Sequence, residues 1–279
     1  PAASGCCCGA AGRWRACWRG CTGRRARRPR RGASARSCPA SFGELVRASS
    51  GGLRALTLSH DNHLPWIQPI AHAAKPAELY TELPWPRGAP SFEEVRSEAL
   101  RLLSDEPPDP YPSPQSHRAT WRTLCLVCAG GRQDPTTRNA SAGYAKTPLL
   151  RRAPALERFI GLFGRTGRVR LSVVEPGGVI GWHADDGVVE EGRAILHVPL
   201  RTSPGALNRL GHLLLQLPEG RVHWLDYSLP HSVYNAHRSE ARVHLVLDVR
   251  ARGNAAFQRQ LPGRLPPSAR RMLSGTARR

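Results

Sequence analysis

The chain has 279 residues, with 41 Lys and Arg against 21 Asp and Glu, for a formal net charge of +20; this length is ample for a core-forming domain. Half of that excess lies in residues 1–43, which hold ten arginines and no acidic residue, so the charge gives no reason to expect nucleic acid as a partner beyond a basic tail. No apolar run reaches the length of a membrane span and no charged segment leads an apolar signal core, so a cytoplasmic, reducing setting is expected.

Residues 1–43 are rich in Arg, Gly, Ala and Cys and poor in aliphatic side chains. They cannot bury enough apolar surface to offset ordering entropy, and are expected to be a disordered basic tail. Cys6, Cys7, Cys8, Cys17, Cys21 and Cys38 do not form paired Cys-x2-Cys motifs, so no zinc cluster is expected. A chain opening at Pro1 with its single methionine at Met272 reads there as a fragment end or a misplaced start.

A domain is expected over residues 44–252, with helical and strand support at 53–167 and a β core at 168–250. "SFEEVRSEALRLLSDEPPDP" predicts a helix capped by Ser91, with Glu93 and Glu94 in its first turn and a stop at Pro107-Pro108. "WRTLCLVCAGG" reads as a buried strand in which Cys125 and Cys128 are structural. A second helix is expected from about Ala155 to Phe163. After Gly167, short β-branched and aliphatic runs alternate with Pro-Gly, Gly-Gly and Pro-Glu-Gly turns, predicting a mainly β fold with flanking helices, of sandwich, barrel or jelly-roll type. Residues 253–279 are expected to be a basic C-terminal tail, Pro-rich and frayed over "LPGRLPPSARRMLSGTARR" from Leu261.

Within the β region, "GWHADDG" spaces His183 and Asp185 two apart, on one face of a strand. With His231 from a later strand, two imidazoles and one carboxylate form the three-ligand set suited to non-haem Fe(II). A polar turn is the plainer alternative. In "ARVHLVLDVR", alternation puts Arg242, His244 and Val246 on one face and Val243, Leu245 and Leu247 on the other. An inward guanidinium beside a metal needs an anion, and a dicarboxylate such as 2-oxoglutarate would meet both metal and Arg242. The alternative is a surface pair of Arg242 with Glu240 or Asp248. Trp224 and Asp226 are expected to share a face, with Tyr227 as packing, and Asp186 is expected to face away from His183.

Together "LSVVEPGGVIGWHADDG", "RAILHVPL", "GRVHWLDYSLPHSVYN" and "RVHLVLDV" resemble the aspartyl/asparaginyl β-hydroxylase family, which includes bacterial free-proline hydroxylases. The resemblance spans about Trp121 to Val249. It implies a double-stranded β-helix, cupin-like, and an Fe(II)/2-oxoglutarate-dependent dioxygenase that uses O2 on an aspartyl/asparaginyl side chain or a free amino acid such as proline. By position it makes His183 and His231 iron ligands, joined by Asp185 as in the bacterial members that keep His-x-Asp. It gives Arg242 and Ser172 to the distal carboxylate of 2-oxoglutarate, and His197 to the cosubstrate pocket. Where the family carries an arginine two residues before that histidine, this chain has Ile195, with Arg193 as the nearest candidate for the inner carboxylate. The rival readings are a cupin-type metalloenzyme without 2-oxoglutarate and a non-catalytic binding domain.

Overall fold

The structure is a computed structural model that describes residues 56–57, 79–113, 120–133, 143–211, 213–261 and 267–274. The tail at 1–43 with its six cysteines, and the last five residues, lie outside the described residues. None of the described helices is long and apolar enough to cross a membrane.

Thirteen described strands form two sheets. They are β1 (Leu56–Thr57), β2 (Tyr80–Leu83), β3 (Asp109–Pro110), β4 (Trp121–Ala129), β5 (Tyr144–Lys146), β6 (Thr166–Val174), β7 (Val179–His183), β8 (Arg193–Arg201), β9 (Ala206–Leu210), β10 (Leu213–Leu215), β11 (Val222–Leu225), β12 (His231–Asn235) and β13 (Arg242–Arg250). The larger sheet runs β2-β11-β8-β13-β6-β4-β3 with β5 on β4, and the smaller runs β1-β10-β9-β12-β7. The jelly-roll expectation holds. From β6 to β13 the chain passes back and forth between the sheets, with only the β9-β10 hairpin staying in one, which is how residues distant in sequence come to face each other across the interior.

Helix α1 (Phe92–Asp105) begins at Ser91 with a complete capping box: Glu94 N–H donates to Ser91 Oγ at 3.2 Å and Ser91 N–H to Glu94 Oε2 at 2.7 Å. Such caps stabilise a helix start by about 1 kcal/mol. Helix α2 (Pro154–Gly161) starts slightly earlier than expected because Pro154 fits the first turn, where its missing N–H costs nothing. The chain then turns at Gly164, whose φ of +69° suits glycine and where a Cβ would meet Asn254 Oδ1 at 2.5 Å.

Val95, Ala99, Leu102, Leu156 and Phe159 of these helices pack with Leu171, Leu196, Val243, Leu245 and Leu247 in the main core. The predicted alternation of β13 is therefore seen. A second cluster, including Ile195, Leu210, Leu213, Tyr227 and Val246, and a third, including Trp121, Ile180 and Val233, line the space between the sheets.

Two expectations are corrected. The segment at 253–279, expected as a basic tail, carries helices α3 (Ala255–Arg259) and α4 (Pro267–Ser274), and buries Phe257 and Ala269 in the main core. Cys125 and Cys128 lie in a buried strand as expected, but a bulge between Cys125 and Val127 breaks the alternation and lets the two sulfurs join in a disulfide.

Candidate active site

The smaller sheet brings the metal-type side chains together. His183 closes β7, His231 opens β12, and the two face each other in the antiparallel register. Asp185 follows β7, and its N–H donates to the Tyr227 carbonyl at 2.8 Å. One ligand atom from each of His183, Asp185 and His231 lies within 4.8 Å of the others.

Both histidines have their tautomers set by backbone. His183 Nδ1 lies 2.8 Å from the Gly181 carbonyl and His231 Nδ1 lies 2.9 Å from the Leu229 carbonyl. A carbonyl only accepts, so each Nδ1 carries a proton, and in the neutral ring this places the lone pair on Nε2, as a metal ligand requires. Burial, with His183 beside it and Asp185 opposing, pushes His231 down to about 4. Two imidazoles and a carboxylate gathered in this way are a donor set that fits Fe(II).

The larger sheet supplies the opposite wall. Strands β6, β8 and β13 direct Ser172, His197, Arg242 and His244 into the interior, all of them at most 5% exposed. Arg242 Nη2 donates to Asn208 Oδ1 at 2.9 Å and to His244 Nδ1 at 2.8 Å, while its Nε has no partner. No carboxylate pairs with Arg242 among the described residues. Burial pushes it down to about 10, with Tyr227 opposing. Asp248, one of the two surface partners considered for Arg242, is taken by Arg193 at 2.6 Å.

Beside Arg242, Trp121 Nε1 donates to Ser172 Oγ at 3.0 Å, which leaves the Ser172 hydroxyl hydrogen available to another acceptor. His197 and His244 share an Nδ1 to Nδ1 contact of 3.2 Å. Burial first, and Arg242 second, hold both well below the ordinary histidine range, so both are neutral.

A small inner chamber is lined by Ser172, His183, Asp185, His197, Tyr227, His231 and Arg242. It opens past Trp121, Arg170 and Ile195 into an outer cleft of about 580 Å³. Six of the seven predicted site residues thus meet around one space. Arg193 lines only the outer cleft, where Asp248, Glu191 and the Asp186 carbonyl hold its guanidinium. Asp186 is an exposed turn residue, as expected, although it too borders the cleft.

Sequence reasoning missed several chamber residues. Tyr227, read as packing, stacks on His231 at 3.8 Å with a 6° interplanar angle and meets His197 edge-on at 5.1 Å. Trp224 packs in the main core. Arg168 and Arg170 also border the cleft. Their signal was present, since two-residue steps back from Ser172 on β6 place both on its face.

The model of the aspartyl/asparaginyl β-hydroxylase family matches residues 90–252, more than half of the chain. The chain belongs to that family. It is accordingly an Fe(II)/2-oxoglutarate-dependent hydroxylase of an amino-acid or peptide substrate, with O2 as co-reactant. No curated protein matches the chain.

Among solved structures it is similar to a prolyl-4-hydroxylase from Pseudomonas putida, at 17% identity over 67% of this chain and 97% of that one, with a TM-score of 0.39. It is also similar to a 2OG-Fe(II) oxygenase family oxidoreductase from Burkholderia pseudomallei, at 17% identity over 61% and 85%, with a TM-score of 0.43. A viral collagen prolyl hydroxylase from Paramecium bursaria Chlorella virus-1 shares 12% identity over 61% and 95%, with a TM-score of 0.37.

Proposed function

We propose that His183, Asp185 and His231 hold the iron of this dioxygenase, and that Arg242, Ser172 and His197 hold its 2-oxoglutarate. The observation that supports this most is Arg242: a guanidinium 2% exposed, with two neutral partners and no carboxylate among the described residues. Such a cation is costly unless an anion joins it. A dicarboxylate reaching from the iron ligands to Arg242 supplies that anion. A cupin-type enzyme without 2-oxoglutarate would leave the guanidinium uncompensated.

When bound, the iron supplies the electron transfer by which O2, 2-oxoglutarate and a substrate C–H become succinate, CO2 and an alcohol. The protein's own contribution is placement. The Gly181 and Leu229 carbonyls accept from Nδ1 of each imidazole and so fix its ring, leaving Nε2 as the nitrogen that would meet the metal, and the Tyr227 carbonyl holds the Asp185 backbone beside them. Arg242 anchors the distal carboxylate, with the Ser172 hydroxyl donating to the same group. Ile195 and Val246 present apolar surface at the neck between chamber and cleft, limiting water there.

The outer cleft receives the substrate. Arg170 lines both spaces, and its guanidinium carbon lies 5.0 Å from the Tyr111 ring centroid and 5.4 Å from that of Trp121. Held over these rings, and without a salt bridge among the described residues, it is placed to meet the carboxylate or amide oxygen of an amino-acid substrate. Arg193 keeps Asp248 neutralised on the facing wall rather than holding cosubstrate.

The test is a panel of free amino acids and Asp- or Asn-containing peptides, loaded with Fe(II) and 2-oxoglutarate without oxygen and then exposed to O2. The expected result is a product one oxygen heavier, formed with equimolar succinate, and abolished by His183→Ala. Undiminished turnover in His183→Ala would sink the metal assignment.

A further inference from the structure

Tyr227 is the chamber residue whose chemistry the proposed roles leave unused. Its ring cannot swing out to solvent. It lies flat against His231 at 3.8 Å and edge-on to His197 at 5.1 Å. Its N–H donates to the Leu225 carbonyl at 2.9 Å, and its own carbonyl accepts from Asp185 N–H at 2.8 Å. The residue is 4% exposed, yet the hydroxyl at the end of this fixed ring has no hydrogen-bond partner. A buried hydroxyl left in that state costs roughly 1–3 kcal/mol, so an acceptor is missing.

The surroundings say what kind of acceptor. Tyr227 and Arg242 line the same inner chamber and influence each other electrostatically. Arg242 Nε also lacks a partner, and so does the Nδ2 of Asn208, the residue that orients the guanidinium from β9. Donors outnumber acceptors at this end of the chamber, and arginine can accept nothing. A neutral acceptor would satisfy one donor and leave the cation uncompensated. A carboxylate, with two oxygens and about four lone-pair sites, can take the phenol and the guanidinium together.

We infer that the Tyr227 hydroxyl donates a hydrogen bond to the distal carboxylate of 2-oxoglutarate, beside Arg242. This rests on the assignment of Arg242 as the anchor of that carboxylate. Tyr227 thereby joins both ends of the cosubstrate: its hydroxyl reads the distal acid, while its ring and carbonyl position His231 and Asp185 at the metal end. It is a cosubstrate-selecting residue as well as a positioning one, set in the turn between β11 and β12.

The experiment measures binding rather than turnover. Full-length protein is loaded with Mn(II) in place of iron, and dissociation constants are measured calorimetrically for 2-oxoglutarate and for 2-oxopentanoate, which lacks the distal acid. Tyr227→Phe keeps the ring, its stacking and its backbone bonds, and removes only the hydroxyl. The expected result is a rise of about tenfold in the 2-oxoglutarate constant, the size of one hydrogen bond to a charged group, with the 2-oxopentanoate constant unchanged. Equal weakening of both ligands would mean that Tyr227 only shapes the metal end, and would overturn the inference, as would no change in either.

Arg242→Ala separates this from the underlying assignment. If it abolishes 2-oxoglutarate binding while Tyr227→Phe does nothing, the anchor stands and the tyrosine role falls. If wild type binds the two acids equally, the anchor itself falls. Should Tyr227→Phe fail to fold, the wild type gives a second reading: the near-ultraviolet tyrosine band, from five tyrosines in all, should shift on adding 2-oxoglutarate and not 2-oxopentanoate. A shift equal for both acids overturns the inference.

Discussion

The two walls of the chamber are polar in opposite ways. On the smaller sheet, His183 and His231 are locally satisfied: each donates its Nδ1 proton to a carbonyl two residues earlier, so the ligand geometry needs no distant partner. On the larger sheet, Arg242, His197 and His244 satisfy one another only in part, through contacts that span strands and leave buried nitrogens unpartnered. One wall offers lone pairs and awaits a cation; the other offers N–H groups and awaits an anion. A ligand that chelates a metal at one end and carries a carboxylate at the other completes both. The metal wall should therefore tolerate an empty chamber, whereas the anion wall holds a charge that folding alone does not compensate.

The sharpest way to break this comparison is Arg242→Met. It should raise the dissociation constant for 2-oxoglutarate at least a hundredfold, since an isolated charge-assisted pair in a buried site is lost. The ligand-free protein should nonetheless melt no lower than wild type. Removing a buried, uncompensated cation is favourable, and this offsets the hydrogen bonds lost at Asn208 and His244, about 1 kcal/mol each. Calorimetric binding and thermal melting of the two proteins check both halves. A melting temperature several degrees lower would show that Arg242 serves the fold rather than the ligand.

How much of this was legible in the sequence depended on whether a residue obeys strand alternation. On β13, Arg242 and the apolar Val243, Leu245 and Leu247 could be sorted to their faces from period-two spacing alone, and the paired spacing of His183 and Asp185 pointed to one locus. Tyr227 escaped because β11 ends at Leu225; beyond it the chain turns, and alternation says nothing about where a side chain points. The Cys125–Cys128 pairing escaped for a related reason, since a bulge inserts one residue and reverses the facing of everything after it. Helix α3 was hidden by brevity. It has five residues, and its burial rests on Phe257 fitting a core assembled from the rest of the chain.

Arg193 was drawn to the cosubstrate by its nearness to the family's arginine position, whereas its partner Asp248 lies 55 residues away on β13. Arg193→Ala sharpens the contrast between inner and outer walls. Burial raises Asp248 while Arg193 opposes that rise, so removing the guanidinium strands a carboxylate that is largely enclosed. Losing one partner of such a pair should cost on the order of 3 kcal/mol of folding stability, the low end for buried pairs because the two side chains retain 17% and 14% exposure. Binding of 2-oxoglutarate should change by less than twofold. Urea unfolding and calorimetry separate the two effects, and a tenfold loss of cosubstrate affinity would return Arg193 to the chamber.

The smallest expected effect concerns acid. His223 on β11 stands opposite His197 in the register and is fully buried. Burial, with the Pro218 carbonyl opposing and Arg221 adding to it, pushes its imidazole down to about 4. In the unfolded chain the same group titrates near 6.5, so between these values the unfolded state holds a proton that the folded state refuses. Stability from this residue is complete above about pH 6.5, falls as pH drops towards 4, and is then constant, for a total of up to about 3 kcal/mol. His197 and His244 are depressed in the same direction, so the larger sheet should dominate the acid lability of the metal-free protein. Replacing His223 with glutamine should reduce the proton uptake on unfolding at pH 5 by about one, read from the slope of urea-unfolding free energy against pH. An unchanged slope would mean that His223 is protonated in the native state, and that this sheet carries its acid sensitivity elsewhere.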